Sequence, residues 1–368
     1  PGTGESVEVN DAKMVKVGDD YYIALRYTIT PTSGSPTIKV NYYKVSGDTL
    51  TTLKTGIGLS SSSKHYYALD GLGRLYAITT SGLTVYRNTT GDAMGPITTI
   101  SPTGLVGFAD RVLASTGSGA YEIRTDNISI NLDNKGTGTI LTAAQNCTAG
   151  TDTKAVDGEG TNFVRCVFDD GGAGGERLSV IAHDGSGNFS SSSLQIHSSA
   201  SSTTPITGDN VRFGANAVVV VTRPAPSSTI YPIYLCSTTA APFSVSCSLT
   251  DIPNPADINL HIGDKTRIYP FTNLLKFYEN KVFYRSGTSV KLRDLSSTTA
   301  LSLPIIVFDA SGGNATFDLT KFAFGFRPAG ATCDTQITHF PSANEAPKTY
   351  TIVQPSNACV SRILKVFP

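Results

Sequence analysis

Short apolar runs recur along this chain, each closed by a turn rich in Gly, Ser or Pro and followed by a second run in which every other residue is apolar. Period-2 alternation marks a strand with one face buried, so each recurrence predicts a β-hairpin. Three copies are clear. Arg74 to Gly82 leads into Leu83 to Arg87, Arg111 to Gly117 into Ala120 to Arg124, and Lys281 to Gly287 into Ser289 to Arg293. All three open on a basic residue and turn on a glycine, which reaches positive φ without a steric cost. Four looser copies are Tyr21 to Tyr27 with Ile38 to Val45, Phe163 to Phe168 with Arg177 to His183, Ala217 to Thr222 with Ile230 to Cys236, and Lys321 to Phe326 with Thr335 to Phe340. Runs at His65 to Leu69, Ile97 to Ile100, Thr139 to Leu141, Phe243 to Ser248 and Tyr350 to Val353 supply the remaining strands.

No stretch of ten residues combines a 3.6-residue period with helix caps, and Leu274 to Tyr278, the nearest candidate, is flanked by strand-like sequence. Seven hairpins in 368 residues give roughly fifty residues per unit. A helix-free chain with that spacing is an array of sandwiches or a ring of blades. Immunoglobulin-like units need about a hundred residues each, and no linker interrupts the series. The segment Asp70-Gly-Leu-Gly-Arg-Leu-Tyr-Ala-Ile-Thr-Thr-Ser-Gly-Leu-Thr-Val-Tyr86 resembles the Asp-Gly, strand, glycine turn, strand blade of β-propellers. It matches that architecture and no particular family: the chain has no Trp for the WD or quinoprotein motifs, and no kelch double glycine.

The resemblance and the spacing together predict an all-β fold, a single β-propeller of about seven four-stranded blades. It spans residues 11–368 after an extended N-terminal segment, 1–10. Ser361 to Phe367 alternates and is expected to close the ring beside Ser6 to Asn10, removing a sheet edge.

Charge removes several classes of function. Lys plus Arg and Asp plus Glu both number 29, so a basic footprint for nucleic acid or an anionic membrane is missing. Charged residues make up 16%, and Ser, Thr and Gly fill the polar positions instead. No apolar run is long enough for a transmembrane helix. The chain opens on Pro1, so the lack of a leader says nothing about its compartment.

The six cysteines fall into three local pairs, Cys147 with Cys166, Cys236 with Cys247, and Cys333 with Cys359, each expected to bracket a turn between adjacent strands as a disulfide. Without C-x-x-C knuckles or a neighbouring His, zinc is not indicated. An oxidising, extracellular or cell-surface location follows. Sequons at Asn88, Asn127, Asn146, Asn188 and Asn314 are candidates for glycosylation.

No catalytic motif stands out. His65, His183, His197, His261 and His339 are isolated and read as surface or strand residues. Gly117-Ser-Gly and Gly185-Ser-Gly lie in hairpin turns, without the helix that a nucleophile elbow needs. Asp169-Asp170-Gly-Gly-Ala-Gly-Gly-Glu176 reads as an acidic turn, while Asp184, Ser186 and Asn188 place oxygens at alternate positions, as calcium loops do. No cofactor is otherwise expected, and calcium at one of these two turns is the alternative to reading both as acidic turns. Tyr21-Tyr22, Tyr42-Tyr43 and Tyr66-Tyr67 should each put one ring in the core and one outside.

The leading expectation is a non-enzymatic secreted or cell-surface protein that binds a protein or glycan partner. Alternatives are a subunit of an extracellular filament or layer, self-assembling through residues 1–10, and a carbohydrate-active hydrolase or lyase whose paired acids carry no local motif.

Overall fold

The computed structural model describes residues 5–126, 128–148, 153–169 and 176–195, followed by the backbone of the strand segments between 211 and 352 given below, with side chains at Ser244–Ser246. The chain divides into two compact units, Pro1–Ser199 with Thr238–Ser246, and Ala200–Ser237 with Cys247–Pro368.

Four-stranded antiparallel sheets follow one another in chain order. The first joins β1 (Ser6–Val17), β2 (Asp20–Thr30), β3 (Thr37–Ser46) and β4 (Thr49–Gly58). The second joins β5 (Tyr67–Leu69), β6 (Leu75–Thr79), β7 (Gly82–Tyr86) and β8 (Ala93–Ile97). In the third are β9 (Gly104–Gly107), β10 (Arg111–Ser115), β11 (Ala120–Thr125) and β12 (Ile130–Asn134). Helix α1 (Thr139–Thr148) precedes the fourth, made of β13 (Thr153–Asp157), β14 (Phe163–Asp169), β15 (Glu176–His183) and β16 (Phe189–Gln195).

Three more sheets follow the same plan. They are β17 (Val211–Phe213), β18 (Ala217–Val220), β19 (Ile233–Ala240) and β20 (Phe243–Leu249), then β21 (Leu275–Tyr278), β22 (Lys281–Ser286), β23 (Ser289–Asp294) and β24 (Ile305–Asp309), then β25 (Gly313–Asp318), β26 (Ala323–Pro328), β27 (Thr335–His339) and β28 (Lys348–Ile352). This succession of four-stranded meanders is the all-β, propeller type of architecture.

Every hairpin expected from the alternation is the central pair of one sheet. Leu75 faces Tyr86, Arg111 faces Arg124, Tyr21 faces Val45, Phe168 faces Arg177, Ala217 faces Leu235, Lys281 faces Asp294 and Phe324 faces Thr338. In the first unit the cause is visible in the packing. One apolar cluster joins the first and second sheets through Tyr42, Tyr67 and Leu75, and another joins the second and third through Tyr76, Leu105 and Val112. A third joins the third sheet to the fourth through Phe108, α1 and Val164. Central strands are covered on both faces by such layers, so they are the most apolar. The tyrosine pairs divide as period 2 requires: Tyr22, Tyr42 and Tyr67 are buried, while Tyr21, Tyr43 and Tyr66 are half-buried.

First strands approach backbone to backbone. Gly71 N donates to Phe108 O at 2.8 Å, Gly160 N to Gly107 O at 3.0 Å and Leu105 N to His65 O at 2.9 Å. A Cβ on Gly107 would lie 1.9 Å from Leu69 O, so only glycine fits there.

Three expectations need correction. The chain is not helix-free: Thr139 to Leu141, read as strand, opens α1, which buries Leu141, Ala143, Ala144, Cys147 and Thr148 against the third and fourth sheets. Its apolar face is built of small residues, and its Thr, Gln and Asn positions, without charged caps, masked the period. Leu275–Tyr278 is a strand, as its strand-like flanks indicate. The strand expected at Ile97 to Ile100 lies earlier, at Ala93–Ile97. Residues 6–10 belong to the first sheet, because Ser6 already pairs with Thr30 and β1 continues to Val17. Ser361 to Phe367, Cys333, Cys359 and Asn127 lie outside the described residues.

Candidate functional site

Two groups of charged side chains occupy the first unit. They differ in whether their donors find acceptors.

One group sits where the second, third and fourth sheets meet. Arg74, which opens β6, pairs through Nε with Asp70 Oδ2 at 2.6 Å. It also donates to Thr125 O, and to Asp110 O at 2.7 Å, both on the third sheet. Arg111, which opens β10, is fully buried and holds Asp110 at 2.7 Å, Glu122, and Gly185 O of the fourth sheet at 3.3 Å. Lys135 meets the other oxygen of Glu122 at 2.7 Å and donates to Gly187 O at 2.9 Å. The basic residue that opened the clear hairpins is thus, in these two, a staple to the next sheet.

That arrangement extends to the Asp184–Asn188 turn. Asp184 Oδ1 accepts the N–H groups of Ser186 and Asn188, and Oδ2 accepts Asn188 Nδ2 at 2.6 Å. These bonds hold the Asp184 carboxyl down at about 2. The carbonyls of Gly185 and Gly187 are taken by Arg111 and Lys135. A cation approaching the carbonyls of Gly185 or Gly187 would have to displace Arg111 or Lys135. The arrangement is a docked Asx turn, with His183 Nδ1 accepting the N–H of Gly185 at 2.9 Å.

The second group lines a cleft of about 340 Å³ between β1, the loop before β5 and the turn after β13, bounded by Asp11, Lys13, Met14, Lys64, His65 and Glu159 among others. A bulge at Asn10 creates its β1 wall. The ladder steps from Val9 opposite Tyr27 to Asp11 opposite Arg26, which moves odd-numbered residues onto the face shared with Tyr22 and Ala24. Val7 and Val9 are exposed, whereas Lys13 and Val15 turn inward. The Asp157-Gly-Glu-Gly160 turn brings Glu159 to Lys13 at 2.8 Å. Lys13 also lies 5.2 Å from the centre of the Tyr67 ring, whose hydroxyl donates to Asp11 Oδ2 at 2.8 Å. Asp157 is paired with Arg165.

Three nitrogen groups beside this cleft lack such partners. His65 is 3% exposed and its Nε2 has no hydrogen-bond partner. Among the described residues, Lys64 Nζ makes one long hydrogen bond, 3.4 Å to Thr153 O, and no ion pair. Arg26 donates through Nη1 to Ser62 O at 2.5 Å while its buried Nε is unpartnered. Burial, and then Lys13, Lys64 and Arg26, push the His65 imidazole down to about 2, so it is neutral at physiological pH. Burial also lowers Lys64.

Cys147, at the end of α1, is bonded to Cys166 in the middle of β14, with Cα atoms 5.4 Å apart. The bridge joins helix to sheet, and not two adjacent strands as expected. Cys236 and Cys247 lie on the neighbouring strands β19 and β20, and Asn314 and His339 on β25 and β27. Asn88 Nδ2 is engaged by Leu72 O at 2.7 Å, and Asn146 lies within α1. Asp11, Lys13, Arg26, Lys64 and Glu159 drew no attention in the sequence, and His65 was read as a surface or strand residue. Among the described residues, no helix is long and apolar enough to cross a membrane.

No family profile matches the chain, and no curated protein does. Among solved structures, it is similar to the tricorn protease at 13% identity and a TM-score of 0.22, over 92% of this chain and 30% of that one. The AfRom2 CNH domain matches at 7% identity and 0.27, over 95% of both chains. The WD40 domain of SCAP from fission yeast matches at 9% and 0.30, over 95% of this chain and 86% of that one. At these TM-scores the assignment to the propeller type rests on the chain's own sheets, their order and the cores between them.

Proposed function

We propose that this chain is a non-enzymatic binding protein of the cell surface or extracellular space, and that the cleft beside His65 receives its partner. The observation that carries this reading is the contrast within the cleft: its carboxylates are engaged, while Lys64, His65 Nε2 and Arg26 Nε are left short of acceptors. Asp11, Asp157 and Glu159 spend oxygens on Tyr67, Arg165 and Lys13. Carboxylates anchored in this way favour positioning over proton transfer. The Cys147–Cys166 disulfide is compatible with an oxidising compartment.

The test is an array of extracellular glycans and surface proteins probed with the intact chain and with Glu159→Trp. Glu159 lines the cleft from the turn after β13, so a large ring there obstructs the cleft. Binding that disappears in Glu159→Trp supports the reading. Binding indifferent to the substitution, or release of reducing ends from a polysaccharide panel, would overturn it.

A further inference from the structure

The charges around the cleft do not balance locally. Lys13, Lys64 and Arg26 act together on His65, and Lys64 feels the same Lys13 and Arg26 against Asp11 and Glu159. Three cations therefore face two carboxylates, and the imidazole between them is neutral. Lys13 is neutralised by Glu159, and Asp11 is bonded to Tyr67. Among the described residues, Lys64 has no carboxylate partner within ion-pair distance and one long bond to a backbone oxygen. Two further buried nitrogens, His65 Nε2 and Arg26 Nε, are unpartnered. Nitrogen groups left this way in a protein interior are costly, and where they gather they mark the place of a missing partner.

Resting on the reading of the cleft as the binding site, we infer that it takes a small monocarboxylate ligand, the acid group of a sugar acid or an amino-acid derivative, whose oxygens meet Lys64 and then His65. The single surplus positive charge matches one carboxylate. A carboxylate accepts several hydrogen bonds through two oxygens, which suits an ammonium beside a neutral imidazole that donates from Nε2. The cleft volume of about 340 Å³ holds a group the size of one sugar or one amino acid, not a folded domain. The bound acid would replace the backbone carbonyl of Thr153 as the principal partner of Lys64.

Titration calorimetry on the full chain tests this with D-glucuronate and N-acetylglycine, each against its neutral methyl ester or amide. The expected result is saturable binding of one or both acids and none of the neutral derivatives. Glucuronate alone identifies a sugar-acid site, and N-acetylglycine alone an amino-acid site. Lys64→Gln should weaken the acid by about tenfold or more with an unchanged melting temperature. The His65 Nε2 resonance, followed by 15N NMR in the unsubstituted chain, should move with saturation. Equal binding of acid and neutral derivative, no binding of either acid, or full affinity in Lys64→Gln would overturn the ligand chemistry. If the array signal is still lost in Glu159→Trp after such a result, the cleft reading stands and only its ligand falls. An array signal untouched by Glu159→Trp removes the cleft reading itself.

Discussion

The Arg74–Arg111–Lys135 junction and the Lys64–His65 cleft are built from the same chemistry and do opposite things with it. At the junction, buried guanidinium groups and an ammonium each have carboxylate and carbonyl acceptors, and the hydrogen bonds cross from one sheet to the next. At the cleft, an ammonium, an imidazole and a guanidinium nitrogen are held near one another with acceptors missing. Satisfied buried charge organises packing, whereas unsatisfied buried charge weakens the fold and attracts a complement. The difference separates scaffold from site more reliably here than residue type does.

The strongest way to break the comparison is at the junction. Arg111→Met leaves Glu122 buried with only Lys135 for company, and should cost about 3–5 kcal/mol, as breaking a buried pair does. A urea midpoint within error of the unsubstituted chain would show that the staple contributes nothing. Adding Glu122→Leu should restore part of the loss, because the orphaned charge goes with it.

Next in size is the bridge behind the junction. Replacing Cys147 and Cys166 with Ser opens a loop with a sequence separation of 19 residues and should cost about 3 kcal/mol. Thermal unfolding of the two proteins without reductant measures it: the double variant should melt lower, and equal melting temperatures would show that the bridge contributes nothing.

Acid should act mainly at the cleft. The folded-state value of His65 lies far below the ordinary 6.5, so below pH 6.5 the unfolded chain takes up a proton that the folded chain refuses until about pH 2. Stability is therefore fully present above 6.5 and falls as pH drops through that window, by at most about 1.4 kcal/mol per unit for this group. His183, lowered by burial and by Arg111, adds in the same direction. The groups facing His65 are Lys13, Lys64 and Arg26, with Asp11 and Glu159 beyond them. Lys64→Gln should thus raise the His65 value and flatten the acid limb. An acid limb identical in the two proteins would mean that Lys64 does not reach the ring.

The smallest effect is the most telling. Lys64→Gln at neutral pH should leave stability within about 0.5 kcal/mol of the unsubstituted chain, or raise it slightly, since it removes an ammonium that lacks a counter-charge. A loss comparable to that of Arg111→Met would mean that the cleft is scaffold after all.

The central hairpins were legible because sheets on both sides make their apolar alternation continuous, as in Leu75–Thr79 and Gly82–Tyr86. Outer strands such as β4 and β12 are largely exposed and carry little of that signal. Helix α1 was illegible because its buried face is mostly Ala, Cys and Thr, which strands use as freely. The Asp184 turn showed its oxygens but not its neighbours, since the cations that claim its carbonyls, Lys135 and Arg111, come from another sheet. The cleft could not be read at all: Lys13 and Glu159 meet across 146 positions, and His65 looks in sequence like any other strand-flanking residue.

The staples have one further consequence, for how such a chain tolerates change. Arg74 grips the main-chain oxygens of Thr125 and Asp110, and Arg111 that of Gly185. A main-chain oxygen is supplied by whatever residue stands there. The receiving sheet is then free to drift in sequence while the joint survives, and only the arginine is fixed. Joints of this one-sided kind let neighbouring copies of a unit lose their resemblance to one another while the sheets remain fastened.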